Sequence, residues 1–447
     1  MGRPSHTRAL SIWTNGQRVG LWTFNRRGEH GFAYDQEWMA SDAARPLSLS
    51  MPFTGDQAIR GERVRNFFDN LLPDSDPIRN RIASRFKTES SQAFDLLQAI
   101  GRDCVGAIQL LGPDEFPTDV QTIQGTPLSD SDVEALLIQA TRSSPLPGLD
   151  DQDELRISLA GAQEKTALLF HKGQWMRPQG STPTTHILKL PMGLVGNAQA
   201  DFSSSVENEW LCMNILSAFG LPVAKTEIVQ FGSQKALAVE RFDRQMHSSG
   251  NWLMRLPQED FCQAMGLPSR LKYEADGGPG IADLARILKG SIQSDRDLTT
   301  LFTAQLLFWL MAAPDGHAKN FSIRVLPQGR YALTPLYDVM SIWPVVGSGP
   351  GRISMFKAKM AMAIVGKNKH YLFKDVQHRH FASMGTRLIG SAATESALES
   401  VISQLPSALE SVAQRLPISF PQSLMDAVFD GMQTFRNRLA HLGSALE

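Results

Sequence analysis

The sequence predicts an α+β fold with a β-rich N-terminal part and an all-α C-terminal part. Short apolar or alternating segments of strand type dominate before residue 250, and long segments of helical periodicity dominate after residue 280. The 447 residues are 42% hydrophobic and 20% charged, so the chain can bury large cores and is not expected to be disordered. Because single cores rarely grow beyond about 250–300 residues, we expect two or three domains.

The N-terminal segment, residues 1–128, is expected to form an α+β subdomain that begins with a β-hairpin. Strands are predicted at residues 10–13 and 19–24, because Asn15 and Gly16 between them can adopt the positive φ angles of a tight turn. Helical patterns follow, and a further strand comes after them. The helices are predicted at residues 62–72 and 91–100 and the strand at residues 104–112.

Three further segments complete the predicted organisation. Residues 129–154 carry seven acidic residues and one arginine, which indicates a helix followed by a surface linker. Residues 155–250 are expected to be β-rich, with strands at 156–161, 166–170, 186–190 and 235–242 and one helix at 205–219. Residues 251–447 are expected to be mainly helical, with helices at 282–288, 298–313, 394–415 and 424–442.

Charge and cysteine content restrict the class of protein. The chain has 44 Lys and Arg against 45 Asp and Glu, so its formal net charge is −1. Residues 352–387 nevertheless contain eight Lys or Arg and one acid, which is typical either of a nucleic-acid surface or of a solvated face.

Three isolated cysteines support neither a disulfide framework nor a zinc site. The longest apolar run is far shorter than the roughly 20 residues that span a bilayer, so we expect a cytoplasmic protein without a membrane partner.

Three residues have the order of a phosphotransferase site. Asp315 and Asn320 are separated by four residues in a polar loop after the apolar run, and Asp338 follows two strand-like segments. Protein kinases use a carboxylate to accept the proton of the attacking hydroxyl, an amide to hold a metal, and a second carboxylate to bridge Mg²⁺ to the phosphates. A plain turn is the alternative, since this spacing is common by chance. The neighbouring helix and strand pair favour a cleft.

A lysine and a glycine loop could complete a nucleotide site. Lys189 lies within a short apolar strand, where a lysine costs free energy unless it is paired. Ser204 and Glu207 match a capping box, which leaves Glu209 on the inward helix face as the expected partner of Lys189. The alternative is that Lys189 reaches solvent from an edge strand. Gly161 could let backbone N–H groups approach phosphate oxygens, although a single glycine is weak evidence.

Taken together, the segments GRDCVGAIQL, RISLAGAQEKTALL, THILKLP, LAVERFDR, RLPQEDFCQ, DGHAKN and LTPLYD resemble the HipA family of serine/threonine protein kinases, the toxin halves of HipBA toxin–antitoxin modules. The resemblance extends over nearly the whole chain. It implies an atypical kinase fold, distantly similar to the phosphoinositide-3-kinase class, with ATP and Mg²⁺ as cofactors. In these terms residues 1–128 are similar to the HipA N-terminal domain, residues 155–250 to a kinase N-lobe, and residues 251–447 to a kinase C-terminal domain.

The resemblance also implies a role for individual residues. Asp315 is implied as the catalytic base, with Asn320 and Asp338 as Mg²⁺ ligands. The implied ATP-binding residues are Ala160, Gly161, Ala162, Gln163, Glu164 and Lys165 in a phosphate loop, Lys189, Glu240, Arg241 and Phe242 in a hinge, and His317, Ala318, Lys319, Asn320, Tyr337, Asp338, Val339 and Met340. Ser158 matches the serine that these kinases autophosphorylate. A phosphate adds about −1.5 to −2 charges, so at Ser158 it should repel the nucleotide and inactivate the kinase.

The implied function is phosphorylation of a translation component, glutamyl-tRNA synthetase for the closest studied members, leading to growth arrest and persistence. The implied partner is a HipB-like helix-turn-helix antitoxin dimer that holds the kinase on operator DNA, where the complex represses its operon. Lys374 and Arg379 are candidate DNA-contacting residues. Two alternatives stay open: an atypical kinase of a small molecule, and a catalytically silent co-repressor. The extent of residues 1–128 disfavours the first, and the intact catalytic motif disfavours the second.

Overall fold

The computed structural model describes residues 7–54, 58–141, 157–161 and 163–443. Its helices are α1 (Gln36–Met39), α2 (Glu62–Asp69), α3 (Asp76–Arg85), α4 (Ala93–Ile100), α5 (Asp130–Ala140), α6 (Ser205–Ala218), α7 (Phe261–Ala264), α8 (Ile281–Leu288), α9 (Ser294–Leu310), α10 (His378–Ile389), α11 (Ser391–Ala413) and α12 (Gln422–Gly443). Its strands are β1 (Arg8–Thr14), β2 (Gln17–Phe24), β3 (His30–Tyr34), β4 (Ile59–Arg60), β5 (Gln109–Leu111), β6 (Gly125–Pro127), β7 (Lys165–His171), β8 (Gln174–Pro178), β9 (His186–Lys189), β10 (Leu194–Val195), β11 (Ala200–Asp201), β12 (Thr226–Phe231), β13 (Gln234–Glu240), β14 (Arg244–Met246), β15 (Leu253–Arg255), β16 (Gln258–Asp260), β17 (Ser322–Val325), β18 (Tyr331–Leu333), β19 (Lys359–Val365) and β20 (Lys369–Leu372). This mixture confirms the predicted α+β class.

The chain divides into two compact units. The first unit comprises Met1–Leu190, Val229–Arg270 and Ser322–Tyr331, and the second comprises Pro191–Ile228, Leu271–Phe321 and Ala332–Glu447. Each unit is therefore built from three stretches of chain. The four consecutive segments expected from the sequence, bounded at residues 128, 154 and 250, stay a prediction. No helix among the described residues has both the length and the apolar composition needed to cross a membrane.

The first unit opens with the predicted β-hairpin. Asn15 and Gly16 adopt φ angles of 48° and 84°, as the turn requires. The strands β1 and β2 join an antiparallel sheet in the order β4-β3-β2-β1-β5. Trp22 lies on this sheet and stacks on Phe68 of α2, with ring centroids 4.0 Å apart, and both side chains are fully buried. The aromatic contact explains why α2 packs on the hairpin sheet.

A second sheet in the first unit runs in the order β12-β13-β9-β7-β8-β6. The helix α5 covers it through Val133 and Leu137, which belong to one apolar cluster with Leu168 and Leu188. The helix begins at a capping box in which the Ser129 side chain accepts from the Asp132 backbone N–H, so the predicted acidic helix is confirmed. The predicted linker at residues 142–154 falls outside the described residues.

One predicted strand of the first unit is wrong. Of residues 156–161, the structure describes 157–161, and these form two isolated parallel bridges rather than a strand. Ile157 pairs with Asp103 and Gly161 pairs with Pro73. Each bridge fixes one point of the segment to a loop, so the segment has no continuous backbone ladder along which a strand could extend.

The second unit is mostly helical. The apolar half of α9 is its centre: Leu306, Leu307 and Trp309 are fully buried, and the Trp309 indole N–H donates to the Phe373 backbone oxygen at 2.9 Å. The helices predicted at 282–288, 394–415 and 424–442 are observed with ends shifted by up to three residues. The antiparallel hairpin of β19 and β20 was not predicted from the sequence.

Candidate active site

The catalytic-type loop follows the apolar helix α9. After α9 the backbone reverses at Ala312, whose φ is 47°, and the Ala313 N–H donates to the Phe308 oxygen at 2.8 Å. Gly316 lies against the Phe308 ring, where a Cβ atom would come within 2.6 Å of a ring carbon. Only glycine fits this approach without displacing the ring. The buried helix therefore fixes the path of the loop that carries Asp315.

Asn320 connects the two predicted carboxylate residues through the backbone. Its side-chain N–H₂ donates to the Asp315 backbone oxygen at 2.8 Å and to the Asp338 backbone oxygen at 3.4 Å. The carbonyl oxygen Oδ1 of Asn320 accepts no hydrogen bond from the described residues. Thus Asp315, Asn320 and Asp338 are brought together within the second unit, and one Asn320 oxygen is left for a ligand.

The segment that carries Asp338 is held by backbone pairing and by α6. Leu336 exchanges hydrogen bonds of 2.8 Å with Pro222 and Ala224 in a parallel bridge. Asn208 of α6 then accepts from the Ser341 N–H at 2.9 Å and donates to the Ser341 oxygen at 2.7 Å. Between these anchors Asp338 has a φ of 61°, a conformation that non-glycine residues seldom adopt and that is frequent at functional sites.

The carboxylate of Asp315 has one occupied and one open oxygen. The Tyr273 hydroxyl donates to Oδ1, and the His317 Nε2 atom lies 3.7 Å from the same oxygen. The oxygen Oδ2 accepts no hydrogen bond from the described residues, and the side chain is 49% exposed. A half-exposed carboxylate with one open oxygen is suited to accept a proton from an incoming hydroxyl.

The other predicted residues of this loop and strand contribute mainly through their backbones. Ala318, Lys319 and Val339 are buried, and Ala318 donates its N–H to the Lys272 oxygen at 3.2 Å. The Tyr337 hydroxyl donates to the Lys319 oxygen at 2.8 Å, which links the two predicted nucleotide segments, while Met340 is half-buried. The sequence motif identified these segments, and their tertiary contacts decide which atoms remain accessible.

The first unit assembles the predicted phosphate loop beside Lys189. Lys165 on β7 lies directly opposite Lys189 on β9 in the antiparallel register. The Gln163 side chain donates to the Leu190 oxygen at 2.6 Å, and the Leu190 N–H donates to the Glu164 oxygen at 3.1 Å. The register therefore places the two lysines side by side on one face of the sheet.

The first residues of the predicted phosphate loop differ in backbone conformation and burial. Gly161 has a φ of 106°, so the expected glycine conformation is present there. Ala160 is half-buried, and Ala162 lies outside the described residues.

The predicted hinge is a strand end. Glu240 is exposed at the end of β13, opposite His186, and Phe242 is half-buried. Arg241 donates its backbone N–H to the Thr185 oxygen at 2.8 Å, while its side chain is buried against Asp103 and Asp243. The Arg241 guanidinium therefore belongs to an internal ion cluster, and its role in a hinge stays a prediction.

Ser158 is held in a fully buried position in the first unit. Its N–H donates to the Asp103 oxygen at 3.0 Å, and its hydroxyl donates to the Leu71 oxygen at 2.8 Å. Asp103 was not identified as important from the sequence. Its position in the segment GRDCVG, a charge within an apolar run, is the signal that could have found it.

The Lys189 and Glu209 pairing stays a prediction. Both side chains are buried, Lys189 in the first unit and Glu209 on α6 in the second. The capping box used to assign Glu209 is wrong, because the Ser204 side chain makes no capping hydrogen bond in the structure. Ser204 has φ and ψ of −95° and 23°, outside the extended conformation that such a cap adopts.

The candidate DNA-contacting residues are exposed in the second unit. Lys374 follows β20, and its ammonium nitrogen lies 5.3 Å from the ring centre of exposed Phe356. Arg379 is exposed in the first turn of α10. Their role in DNA contact stays a prediction.

The residues near Asp338 fit a magnesium ion held jointly with phosphate. Among the described residues, no three His, Cys, Asp or Glu side chains converge on one point. Mg²⁺ in phosphotransferases commonly takes only one or two protein oxygens and completes its shell with phosphates and water. Asn320 Oδ1 and the Asp338 carboxylate are the oxygens that such an ion would use.

Comparison with known proteins gives consistent similarities. The sequence matches the HipA N-terminal domain family at residues 10–111 and the HipA-like C-terminal domain family at residues 157–412. It is 37% identical over 338 residues to Y4mE of Sinorhizobium fredii, which is assigned as a kinase, covering 75% of this chain and 77% of that protein. It is 28% identical over 346 residues to the serine/threonine-protein kinase toxin HipA of Shewanella oneidensis, covering 74% and 72%.

A solved structure shares the fold. The complex of Shewanella oneidensis HipA and HipB with their operator DNA contains a chain that matches this one with a TM-score of 0.77 and 23% sequence identity, covering 97% of each chain. At that identity the likeness establishes the architecture. The predicted HipA-like fold is therefore confirmed.

Proposed function

We propose, from the premise that this chain belongs to the HipA family, that it is an ATP-dependent serine/threonine kinase toxin. The main structural support is the pair of hydrogen bonds that the Asn320 side chain donates to the backbone oxygens of Asp315 and Asp338. Those contacts bring together the three groups that the kinase motif requires, in the order that it requires. The kinase assignment of the similar proteins supports the same chemistry.

In the proposed reaction the hydroxyl oxygen of a serine or threonine attacks the γ-phosphorus of ATP. A P–O bond forms to that oxygen, the bond to the bridging oxygen of ADP breaks, and the hydroxyl proton passes to Asp315. The open Oδ2 atom of Asp315 is the acceptor. Mg²⁺ held by Asn320 and Asp338 would neutralise the charge on the phosphates.

We propose that phosphorylation of Ser158 inactivates the kinase. The Ser158 hydroxyl is fully buried and bonded to Leu71, so the segment must leave this position before the hydroxyl can be modified. A phosphate with about −1.5 to −2 charges could not return to that site without a large desolvation cost. The displaced segment includes the predicted phosphate loop, which gives the inactivation a physical basis.

The proposed protein substrate is glutamyl-tRNA synthetase, and the proposed partner is a HipB-like helix-turn-helix dimer on operator DNA. The similar chain in the HipA, HipB and operator DNA complex supports this assembly. The proposed location of the kinase is the cytoplasm. Stalled tRNA charging there would lead to growth arrest and persistence of the cell. A silent co-repressor is disfavoured by the complete Asp315, Asn320 and Asp338 set, and a small-molecule kinase by the size of the N-terminal segment.

The decisive experiment is to incubate the purified chain with Mg²⁺, ATP and glutamyl-tRNA synthetase and to map phosphosites on both proteins by mass spectrometry. We expect phosphate on the synthetase and on Ser158. The control is Asp315→Gln, which should still bind ATP but transfer no phosphate. Phosphate on Ser158 alone would support the kinase activity but exclude glutamyl-tRNA synthetase as its substrate. Absence of phosphate from both proteins would favour the co-repressor, and undiminished transfer by Asp315→Gln would remove Asp315 from the base role.

A further inference from the structure

Tyr273 makes the only side-chain hydrogen bond to the Asp315 carboxylate among the described residues. Its hydroxyl donates to Oδ1, the oxygen that also lies 3.7 Å from His317 Nε2. Oδ2 remains open. Because the Asp315 side chain is half exposed, the carboxylate could otherwise rotate about its last bond, where orientations are broadly distributed.

The position of Tyr273 is itself fixed by its ring and its backbone. The ring packs edge-on against His317, with centroids 5.0 Å apart and planes at 83°. Its backbone oxygen accepts from the Gly278 N–H at 3.0 Å, and the preceding residue, Lys272, accepts from the Ala318 N–H in the catalytic loop at 3.2 Å. Tyr273 is thus attached to the same loop that it contacts through its hydroxyl.

The next residue, Glu274, anchors this segment to the hairpin of β19 and β20. One carboxylate oxygen of Glu274 accepts from the Ala363 N–H at 2.7 Å, and the other lies 2.7 Å from the Lys369 ammonium nitrogen. Glu274 is buried while Lys369 is largely exposed. The hairpin of β19 and β20 therefore anchors the segment that carries Tyr273.

We propose that Tyr273 is a positioning residue for phosphoryl transfer. By holding Oδ1 of Asp315, its hydroxyl fixes the carboxylate plane with Oδ2 directed toward the acceptor hydroxyl. The inference rests on the proposed function, since it needs Asp315 to be the base. Correct orientation of a reacting group is a recognised source of rate acceleration.

The test is a comparison of Tyr273→Phe with the wild-type chain in steady-state kinase assays. Phenylalanine keeps the ring that packs on His317 and removes only the hydroxyl. We expect kcat to fall by about 10-fold to 100-fold, the range that a misplaced reacting group produces. The KM for ATP should stay unchanged, because Tyr273 acts on the base and not on the nucleotide. The matched control is Tyr331→Phe, which removes a hydroxyl outside the catalytic loop and should leave both parameters unchanged.

A double variant separates positioning from a merely structural role. In the Asp315→Gln background, which should bind ATP without transferring phosphate, Tyr273→Phe should leave the ATP affinity unchanged, because the hydroxyl acts through the carboxylate. A kcat of Tyr273→Phe equal to or above the wild-type value, or a rise in the KM for ATP alone, would overturn the inference while leaving the proposed function intact. Absence of phosphate transfer by the wild-type chain would overturn both.

If Tyr273→Phe lowers the melting temperature more than Tyr331→Phe does, Glu274→Gln provides the second measurement. This variant keeps the hydroxyl and weakens the anchor to Lys369. We expect a smaller fall in kcat, again with the KM for ATP unchanged. An unchanged kcat in this variant would overturn the inference.

Discussion

Glu259 is a carboxyl group with no access to solvent. It lies on β16 in the first unit, and its Oε1 atom accepts from the Leu49 N–H at 2.8 Å. Its Oε2 atom has no hydrogen-bond partner among the described residues. Burial raises the pKa of Glu259 to about 8, against the lowering effect of its hydrogen bonds to Ser48 and Leu49. The folded chain therefore keeps this group protonated at neutral pH.

This residue predicts a specific dependence of stability on pH. Between the ordinary pKa of 4.5 and the folded value of about 8, the folded chain holds a proton that the unfolded chain releases. The free energy of unfolding must then fall as pH rises through this window, by about 1.4 kcal/mol for each unit of pKa difference. Glu259→Gln should remove this loss, so the variant should be the more stable protein at pH 8.

Urea unfolding of wild type and Glu259→Gln across pH 5 to 9 measures this effect. The control is Glu37→Gln, an exposed carboxyl in the same unit, which should retain the wild-type slope. If the free energy of unfolding varied with pH in the same way for wild type and Glu259→Gln, Glu259 would not be the group that causes the loss of stability.

At the scale of elements, a buried ion cluster ties several strands and loops of the first unit together. Arg244 on β14 lies 2.9 Å from Asp103, and Arg255 on β15 lies 3.2 Å from the same carboxylate. Arg241 lies 2.9 Å from Asp243. Burial alone would raise the pKa of Asp103, but the three guanidinium groups hold it far below its usual range. Removing one partner of such a cluster leaves uncompensated buried charge.

We expect Asp103→Asn to lower the free energy of unfolding by about 3–5 kcal/mol, the usual effect of breaking a buried ion pair. Arg241 and Arg244 would then keep their contacts with Asp243, while Arg255 would lose its contact with the Asp103 carboxylate. Because the Asp103 pKa is depressed in the folded chain, its stabilisation is present above the ordinary pKa and is lost as pH falls below it. The measurement is urea unfolding at pH 7 and at about pH 2, which is well below the ordinary pKa of 3.8.

The matched control is Asp114→Asn, an exposed aspartate in the same unit, which should change stability by less than about 0.5 kcal/mol. The difference in the free energy of unfolding between Asp103→Asn and Asp114→Asn should become smaller at low pH. An Asp103→Asn variant as stable as Asp114→Asn would mean that the cluster contributes no net stability.

Local signals explain which elements were predictable. The first hairpin depends on Asn15 and Gly16, which are adjacent, and the catalytic residues depend on a motif of short spacing. The contact between Tyr273 and Asp315 joins residues 42 positions apart, and that between Asp103 and Arg255 joins residues 152 positions apart. No periodicity connects such distant positions, so these contacts become visible only in the folded chain. The Ser204 cap was wrong although its pattern is local, because the backbone angles of Ser204 are not those of an extended cap residue.

At the scale of the whole molecule, the distribution of charge matters more than its sum. The formal net charge is −1, so the chain as a whole has no long-range attraction for nucleic acid. Residues 352–387 contain eight Lys or Arg and one acid. Two of the basic side chains, Lys374 and Arg379, are exposed on neighbouring elements of the second unit. In the proposed assembly, contact with operator DNA would therefore depend on this local surface and on the antitoxin.

This charge distribution predicts that the double variant Lys374→Glu and Arg379→Glu weakens retention of the antitoxin complex on operator DNA while leaving kinase activity unchanged. Each lost phosphate contact should reduce the slope of log affinity against log salt by about 0.9, because fewer counterions are released on binding. Electrophoretic mobility shifts over a series of salt concentrations measure that slope. The control pair, Lys289→Glu and Arg296→Glu, makes the same change of charge at exposed positions of the second unit outside the basic segment. An equal effect of the two pairs would mean that net charge alone governs retention, and no effect of either would exclude residues 374 and 379 from the DNA-facing surface.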